Sequence, residues 1–175
     1  MPKRIRITAD SRMHFVSFSV FKHVPVFRNR MFADEFLEDL RFYCAKDKCV
    51  MHGFVIMPHH VHLLLEMTGE KTVSDLIRDV KKYFSYRMRN ALCHKSRFDF
   101  NIFMRGDNFQ FWEQRFDEVT IVTERMFQVK LQYIHYNLVK AGLVENPEDY
   151  HYSSAKGYMI GQEMTAGLRT RRSRS

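Results

Sequence analysis

The chain has 175 residues, 45% of them hydrophobic and 27% charged, which suggests one soluble globular domain, with room for a tail. Lysine and arginine outnumber aspartate and glutamate 28 to 20, a net charge of +8. That favours a polyanionic partner, nucleic acid first and a membrane surface second. Three cysteines, Cys44, Cys49 and Cys93, are odd in number and have no CxxC spacing, which argues against a disulfide scaffold or a zinc ribbon and makes a reducing cytosol the default. No apolar run reaches the roughly 18 residues of a membrane span, and no apolar signal core follows the basic start, so the reading is an intracellular protein.

In chain order, "HFVSFSVFK" (14–22) is β-branched and aromatic and predicts a strand. Pro25 then marks an edge or a turn. From Met31 to Ala45 the period changes: Phe32, Phe36, Leu37, Leu40 and Tyr43 recur at helical spacing with acids between them. "CVMHGFVIM" (49–57) and "HVHLLLEM" (60–67) predict two strands, punctuated by Pro58 and His59 and paired as an antiparallel hairpin. Thr72, with Asp75 three residues on, predicts a helix start. The helix that follows carries an apolar stripe of Val73, Leu76, Ile77, Val80, Phe84 and Met88. Its other side holds Arg78, Lys82, Ser85 and Arg89, with Lys81 beside them.

Residues 93–110 show no clear period; a short strand near Ile102–Arg105 and a loop at "GDN" are expected. "FQFWEQRFDE" (109–118) resists classification. Thr123 caps a long helix, about 124 to 140, with Phe127, Leu131, Ile134 and Leu138 as its core stripe and Gly142 ending it. The expected divisions are a basic arm at 1–11, one domain at 12–160 and a basic, disordered tail at 161–175. The alternation of strands and helices predicts an α+β fold, an antiparallel sheet with packed helices.

Two features carry chemistry. On a strand, His60 and His62 point to one face, about 7 Å apart along the chain, while Val61, Leu63 and Leu65 point to the other. Two imidazoles so placed can share a metal ion; the alternative is two histidines on an ordinary strand. His59 is out of phase and belongs to the turn. On the last long helix, Lys130, Tyr133, Asn137 and Lys140 form one stripe, with Tyr133 and Asn137 one turn apart. Asn137 can offer an oxygen to a hard cation and Tyr133 a nucleophilic hydroxyl; the alternative is a tyrosine covering the core beside solvated polar residues.

These motifs, in this order, resemble the single-tyrosine HUH transposases, and in particular the REP-associated tyrosine transposases related to IS200-like insertion-sequence enzymes. "MPHHVHLLLE" is close to the family's Met-Pro-Asn-His-Val-His-Leu-Leu, and "FWEQRFDE" resembles its Trp-Gln-x-Arg-(Phe/Tyr) segment. "YIHYNLVKAGLVENPEDYHYSS" resembles Tyr-Ile-x-x-Asn-Pro-x-(Arg/Lys)-Ala-Gly-Leu-Val followed by Pro-Glu-x-Tyr-x-(Trp/Tyr)-Ser-Ser. The likeness covers roughly residues 12 to 158. It departs at His59, where the family has Asn, and at Leu138, where it has Pro; leucine there should leave the helix intact.

The resemblance implies a ferredoxin-like (RRM-like) HUH sandwich, Tyr133 as nucleophile, and His60, His62 and Asn137 as ligands of Mg²⁺ or Mn²⁺. It further implies single-stranded, hairpin-forming DNA as partner, 5′-phosphotyrosine chemistry, and either a monomer or a homodimer. Arg78, Lys81, Lys82, Arg89, Arg105, Arg115, Lys130 and Lys140 are candidates for DNA phosphate contact; the helix face among them can equally be solvated surface. Trp112 is more suited to core packing than to base stacking. Two other readings stay open: a non-cutting hairpin-binding module of the same fold, and a metal-dependent hydrolase that uses water and does not need Tyr133.

Overall fold

The computed structural model describes residues 7, 12–95 and 98–159. The basic arm, Ile7 aside, and the tail from 161 lie outside the described residues. Ten helices and strands follow one another among those described: β1 (Met13–Ser19), α1 (Arg30–Lys46), β2 (Cys49–Ile56), β3 (His60–Met67), α2 (Val73–Lys95), β4 (Met104–Arg105), β5 (Asn108–Phe109), β6 (Asp117–Thr120), α3 (Glu124–Lys140) and α4 (Ala155–Met159).

Four strands form one antiparallel sheet in the order β2-β3-β1-β6. With α1 and α2 as the crossings this is the ferredoxin-like βαββαβ arrangement, as the α+β expectation required. Strand alternation divides the core. Val61, Leu63 and Leu65 pack with the apolar stripes of α1 and α2 on one face. On the other, Phe15, Val55 and Leu64 pack beneath Phe127, Leu131, Ile134 and Leu138 of α3. Each such fully buried side chain contributes about 1.5–3 kcal/mol relative to exposure.

The helix boundaries follow from local chemistry. Thr72 and Asp75 form a reciprocal capping box: Asp75 N donates to Thr72 Oγ1 at 3.1 Å and Thr72 N to Asp75 Oδ2 at 3.2 Å. Thr123 Oγ1 accepts from Met126 N at 3.1 Å. At the far end of α3, Gly142 takes φ +68°; its N–H meets Val139 O at 2.9 Å and Leu143 N meets Leu138 O at 3.0 Å. This pair of bonds is a Schellman motif, and the left-handed residue it needs is the glycine.

Two sequence expectations change, and one open segment is settled. The first strand stops at Ser19, because residues 21–23 turn in a 3₁₀ helix with Lys22 at φ 52° and His23 at φ 53°. Residues 100–103 are a 3₁₀ turn, leaving only Met104–Arg105 for the short strand. The unclassified segment is extended: Trp112 bridges to Val20 and Asp117–Thr120 completes the main sheet as its edge strand. Trp112 is core, 4% exposed, with Nε1 donating to Lys81 O. Among the described residues no helix is long and apolar enough to cross a membrane.

Candidate active site

β3 begins where the chain is held hard. Val20 N donates to His59 O at 2.8 Å, Phe27 N to Pro58 O at 3.0 Å and Met57 N to His60 O at 2.8 Å. The 57–60 turn is thus tied to the end of β1 and to the segment that follows it, which sets where the histidines start. His60 and His62 then point to the α3 face as alternation predicts, with ring centroids 4.8 Å apart.

α3 supplies the other half. Leu131, Ile134 and Leu138 bury the helix against the sheet, so the adjoining stripe lies over β3. Asn137 Nδ2 donates to His62 Nε2 at 2.8 Å, and the Tyr133 ring stands edge-on to His62 with centroids 5.2 Å apart. Phe15, on the neighbouring strand, stacks on His62 at 5.7 Å and meets Tyr133 edge-on. Lys130 Nζ lies 4.4 Å from the Phe15 ring centroid and 5.8 Å from that of Tyr133, a cation over two aromatic faces. The Tyr133 side is 47% exposed, open to a large substrate. All of this is assembled within one chain.

Electrostatics keep the imidazoles neutral. Burial, then the neighbouring His59 and His23, lowers His60 to about 4; burial, then His60 and Lys130, lowers His62 to about 3. Both therefore carry free lone pairs at neutral pH. His62 Nδ1 is buried without a hydrogen-bond partner among the described residues. Whichever way the Asn137 amide is turned, one His62 nitrogen stays unpaired, which costs about 1–3 kcal/mol. A neutral imidazole with an unpaired nitrogen, a second imidazole and an amide form a donor set that suits a divalent ion. Among the described residues no group of three His, Cys, Asp or Glu side chains converges as a ready-made cage, so His₂ plus an amide is the set available.

His59 stays in the bend before β3, but it is not remote. Its ring is 4.6 Å from His60 and 5.4 Å from His23, and burial with the positive charge of His23 and Arg28 lowers its pKa. Sequence reading missed His23, since nothing local links it to residue 59.

The basic candidates separate. Lys130 joins Tyr133, and Lys140 is exposed at the end of the same helix. Arg105 and Arg115 line a cleft beside β1 and β6. Arg78, Lys82 and Arg89 ride on α2, which packs on the sheet face away from His62, and Arg78 is engaged by Asp75 at 2.9 Å. Lys81 turns inward: Nζ donates to Glu113 O at 2.9 Å, and burial lowers it to about 8.

The fold has counterparts among solved structures. The fold is similar to that of a REP-associated tyrosine transposase bound to a REP hairpin, with a TM-score of 0.69 and 17% identity over 91% of this chain and 86% of that one. It is also similar to a protein assigned as a transposase in Deinococcus radiodurans R1, with a TM-score of 0.51 and 20% identity over 75% of this chain and 95% of that one. Comparison with curated proteins gives no match. Residues 8–137, from before β1 through Asn137 of α3, match the sequence profile of the IS200-like transposases, and the chain belongs to that family.

Proposed function

We propose that this transposase cuts and rejoins single-stranded DNA at hairpin-associated sites through a covalent bond to Tyr133. The observation that carries the reading is the meeting of Tyr133 and Asn137, one turn apart on α3, with His60 and His62 on β3. Tyr133 Oη attacks a backbone phosphorus, the bond to the 3′ oxygen breaks, and that oxygen leaves as a 3′-hydroxyl. The phenolic proton is lost, and the 5′-phosphate stays on the tyrosine. Because the phosphodiester's energy is kept in the phosphotyrosine, the reverse displacement rejoins DNA without ATP.

An ordinary phenol ionises near 10, so Tyr133 needs help at neutral pH. His60, His62 and Asn137 would hold a divalent ion, Mg²⁺ or Mn²⁺, whose chemistry there is Lewis-acid polarisation of the phosphate. Lys130, within reach of the Tyr133 ring, adds positive charge where the phosphate must sit. Phe15 fixes the His62 ring from behind and leaves the Tyr133 side open to DNA. Since one chain carries both halves, a monomer suffices.

The test is incubation with a hairpin DNA bearing single-stranded arms, with Mn²⁺, followed by denaturing electrophoresis. A DNA-shifted protein band is expected, lost in Tyr133→Phe and in His62→Ala. Cleavage that survives Tyr133→Phe would replace this mechanism with a water-using hydrolase; hairpin binding without any cleavage by the native chain would leave only a binding module.

A further inference from the structure

Four imidazoles follow one another from the surface to the buried His62. Ring centroids are 5.4 Å apart from His23 to His59, 4.6 Å from His59 to His60 and 4.8 Å from His60 to His62. The inner two belong to the candidate active site. The outer two, the exposed His23 and the half-buried His59, have no part in the chemistry at Tyr133. Neither ring is engaged by a hydrogen bond or ion pair among the described residues.

Their meeting is built into the backbone. His23 has φ 53° and Lys22 before it φ 52°, a left-handed conformation that residues with a Cβ rarely adopt and that persists only where the surroundings fix it. Here they are fixed. Phe21 N donates to Phe111 O at 2.8 Å, Lys22 N to Glu113 Oε1 at 2.9 Å and His23 N to Val20 O at 2.9 Å. Val20 N in turn donates to His59 O at 2.8 Å, which joins the two segments directly and sets His23 beside His59.

The spacing suits an ion. An ion about 2.1 Å from a ring nitrogen lies about 3.2 Å from the ring centre, so two imidazoles on one tetrahedral ion have centres about 5.3 Å apart, and at an octahedral right angle about 4.6 Å. The 5.4 Å of His23 and His59 matches the first, and the 4.8 Å of His60 and His62 is nearer the second. We propose that His23 and His59 form a second metal site, which takes one tetrahedral, imidazole-seeking ion of the Zn²⁺ class with water in the remaining positions. Among the described residues no third side chain of the ligating kind converges there. Nitrogen donors and the positive charge of nearby Arg28 disfavour Mg²⁺, which prefers oxygen, so the outer pair selects a different ion from the inner one. The bound ion clasps the turn after β1 to the turn before β3, and so stiffens the start of the strand that carries His60 and His62. The site does not depend on the DNA-cleaving reading.

The test is calorimetric titration of the full chain with Zn²⁺ in excess Mg²⁺. His60→Ala with His62→Ala removes the active-site imidazoles, and that chain should still bind one Zn²⁺. Adding His23→Asn or His59→Asn, asparagine being tolerant of the left-handed backbone, should weaken that binding at least about tenfold. As a single change in the otherwise native chain, His23→Asn should remove one bound Zn²⁺ and reduce the rise in melting temperature that Zn²⁺ produces. No Zn²⁺ binding by the chain without His60 and His62, binding that neither asparagine change weakens, or equal ion counts for the native and His23→Asn chains would overturn the site. Covalent DNA adduct with Mn²⁺ is scored separately: its absence from the native chain sinks the Tyr133 mechanism alone, and an unaltered Zn²⁺ count in His23→Asn sinks the outer site alone.

Discussion

Gly53 is where the fold and the site can be tested together. It sits in β2 opposite Leu64, under α3. A Cβ built there comes within 2.9 Å of Leu131 Cδ1 and 3.6 Å of Ile134 Cδ1, where carbon atoms prefer about 3.5–4.0 Å. Alanine needs the Leu131 methyl to give by about 0.6 Å or more, a small cost partly offset by the stiffer unfolded chain; Gly53→Ala should therefore lie within about 1 kcal/mol of the native chain. Valine adds two more methyl groups into the same gap, and overpacking of that kind costs about 1–3 kcal/mol. The wedge acts on the helix that carries Tyr133 and Asn137, while His60 and His62 stay on β3. A shift near 1 Å between the halves should cut adduct formation by about a hundredfold. Urea denaturation gives the stability and the rate of covalent DNA adduct gives the site. Leu131→Val, which removes the offending carbon, should restore part of both in Gly53→Val. A Gly53→Val chain as stable and as fast as the native one would refute the close approach of α3 and the dependence of chemistry on it.

Two further outcomes follow from the same structure. His60, His62 and His135 are lowered from the ordinary 6.5 to about 4, 3 and 4, in each case mainly by burial. The unfolded chain therefore binds more protons between those values and 6.5, so stability is complete above 6.5 and lost as pH falls through that window. His135→Gln, aimed at the hydrogen bond to Ser154, should reduce the loss between pH 7 and pH 5 by at most about 2 kcal/mol, read from urea midpoints; an equal loss in both proteins would contradict the assignment. Thr123→Ala removes the cap of α3 and should cost about 1 kcal/mol, seen as a melting temperature lower by about 2–4 °C.

The parts of this protein visible in the sequence were those set by short-range periodicity. The α1 and α3 stripes, the β2–β3 hairpin and the Thr72 and Thr123 caps all depend on residues within a few positions. β6 did not show, because Asp117–Thr120 is an exposed edge strand with two acids, and pairing with β1 rather than its own propensity makes it a strand. Nothing local revealed that Ser154 and Tyr152 cover β2, donating from Ser154 N to Phe54 O and accepting at Tyr152 O from Ile56 N. The basic row on α2 had a clear period, but a period does not say which layer the helix joins. Strand phase selected His60 and His62, and helix phase paired Tyr133 with Asn137. Their meeting across some seventy residues came only from family resemblance, and the structure brings the two halves together. The cleft drawn from β1, β4 and the 113–117 segment showed in the sequence only as two basic residues, Arg105 and Arg115, with nothing local to bring them together.

The most direct measurement is the identity of the residue that carries DNA. Tyr136, 62% exposed and three positions on, competes with Tyr133 for that role. Digestion of the covalent adduct and mass spectrometry should place the DNA phosphate on Tyr133, whose ring meets His62. A phosphate on Tyr136, or cleavage products with no tyrosine linkage, would contradict the account.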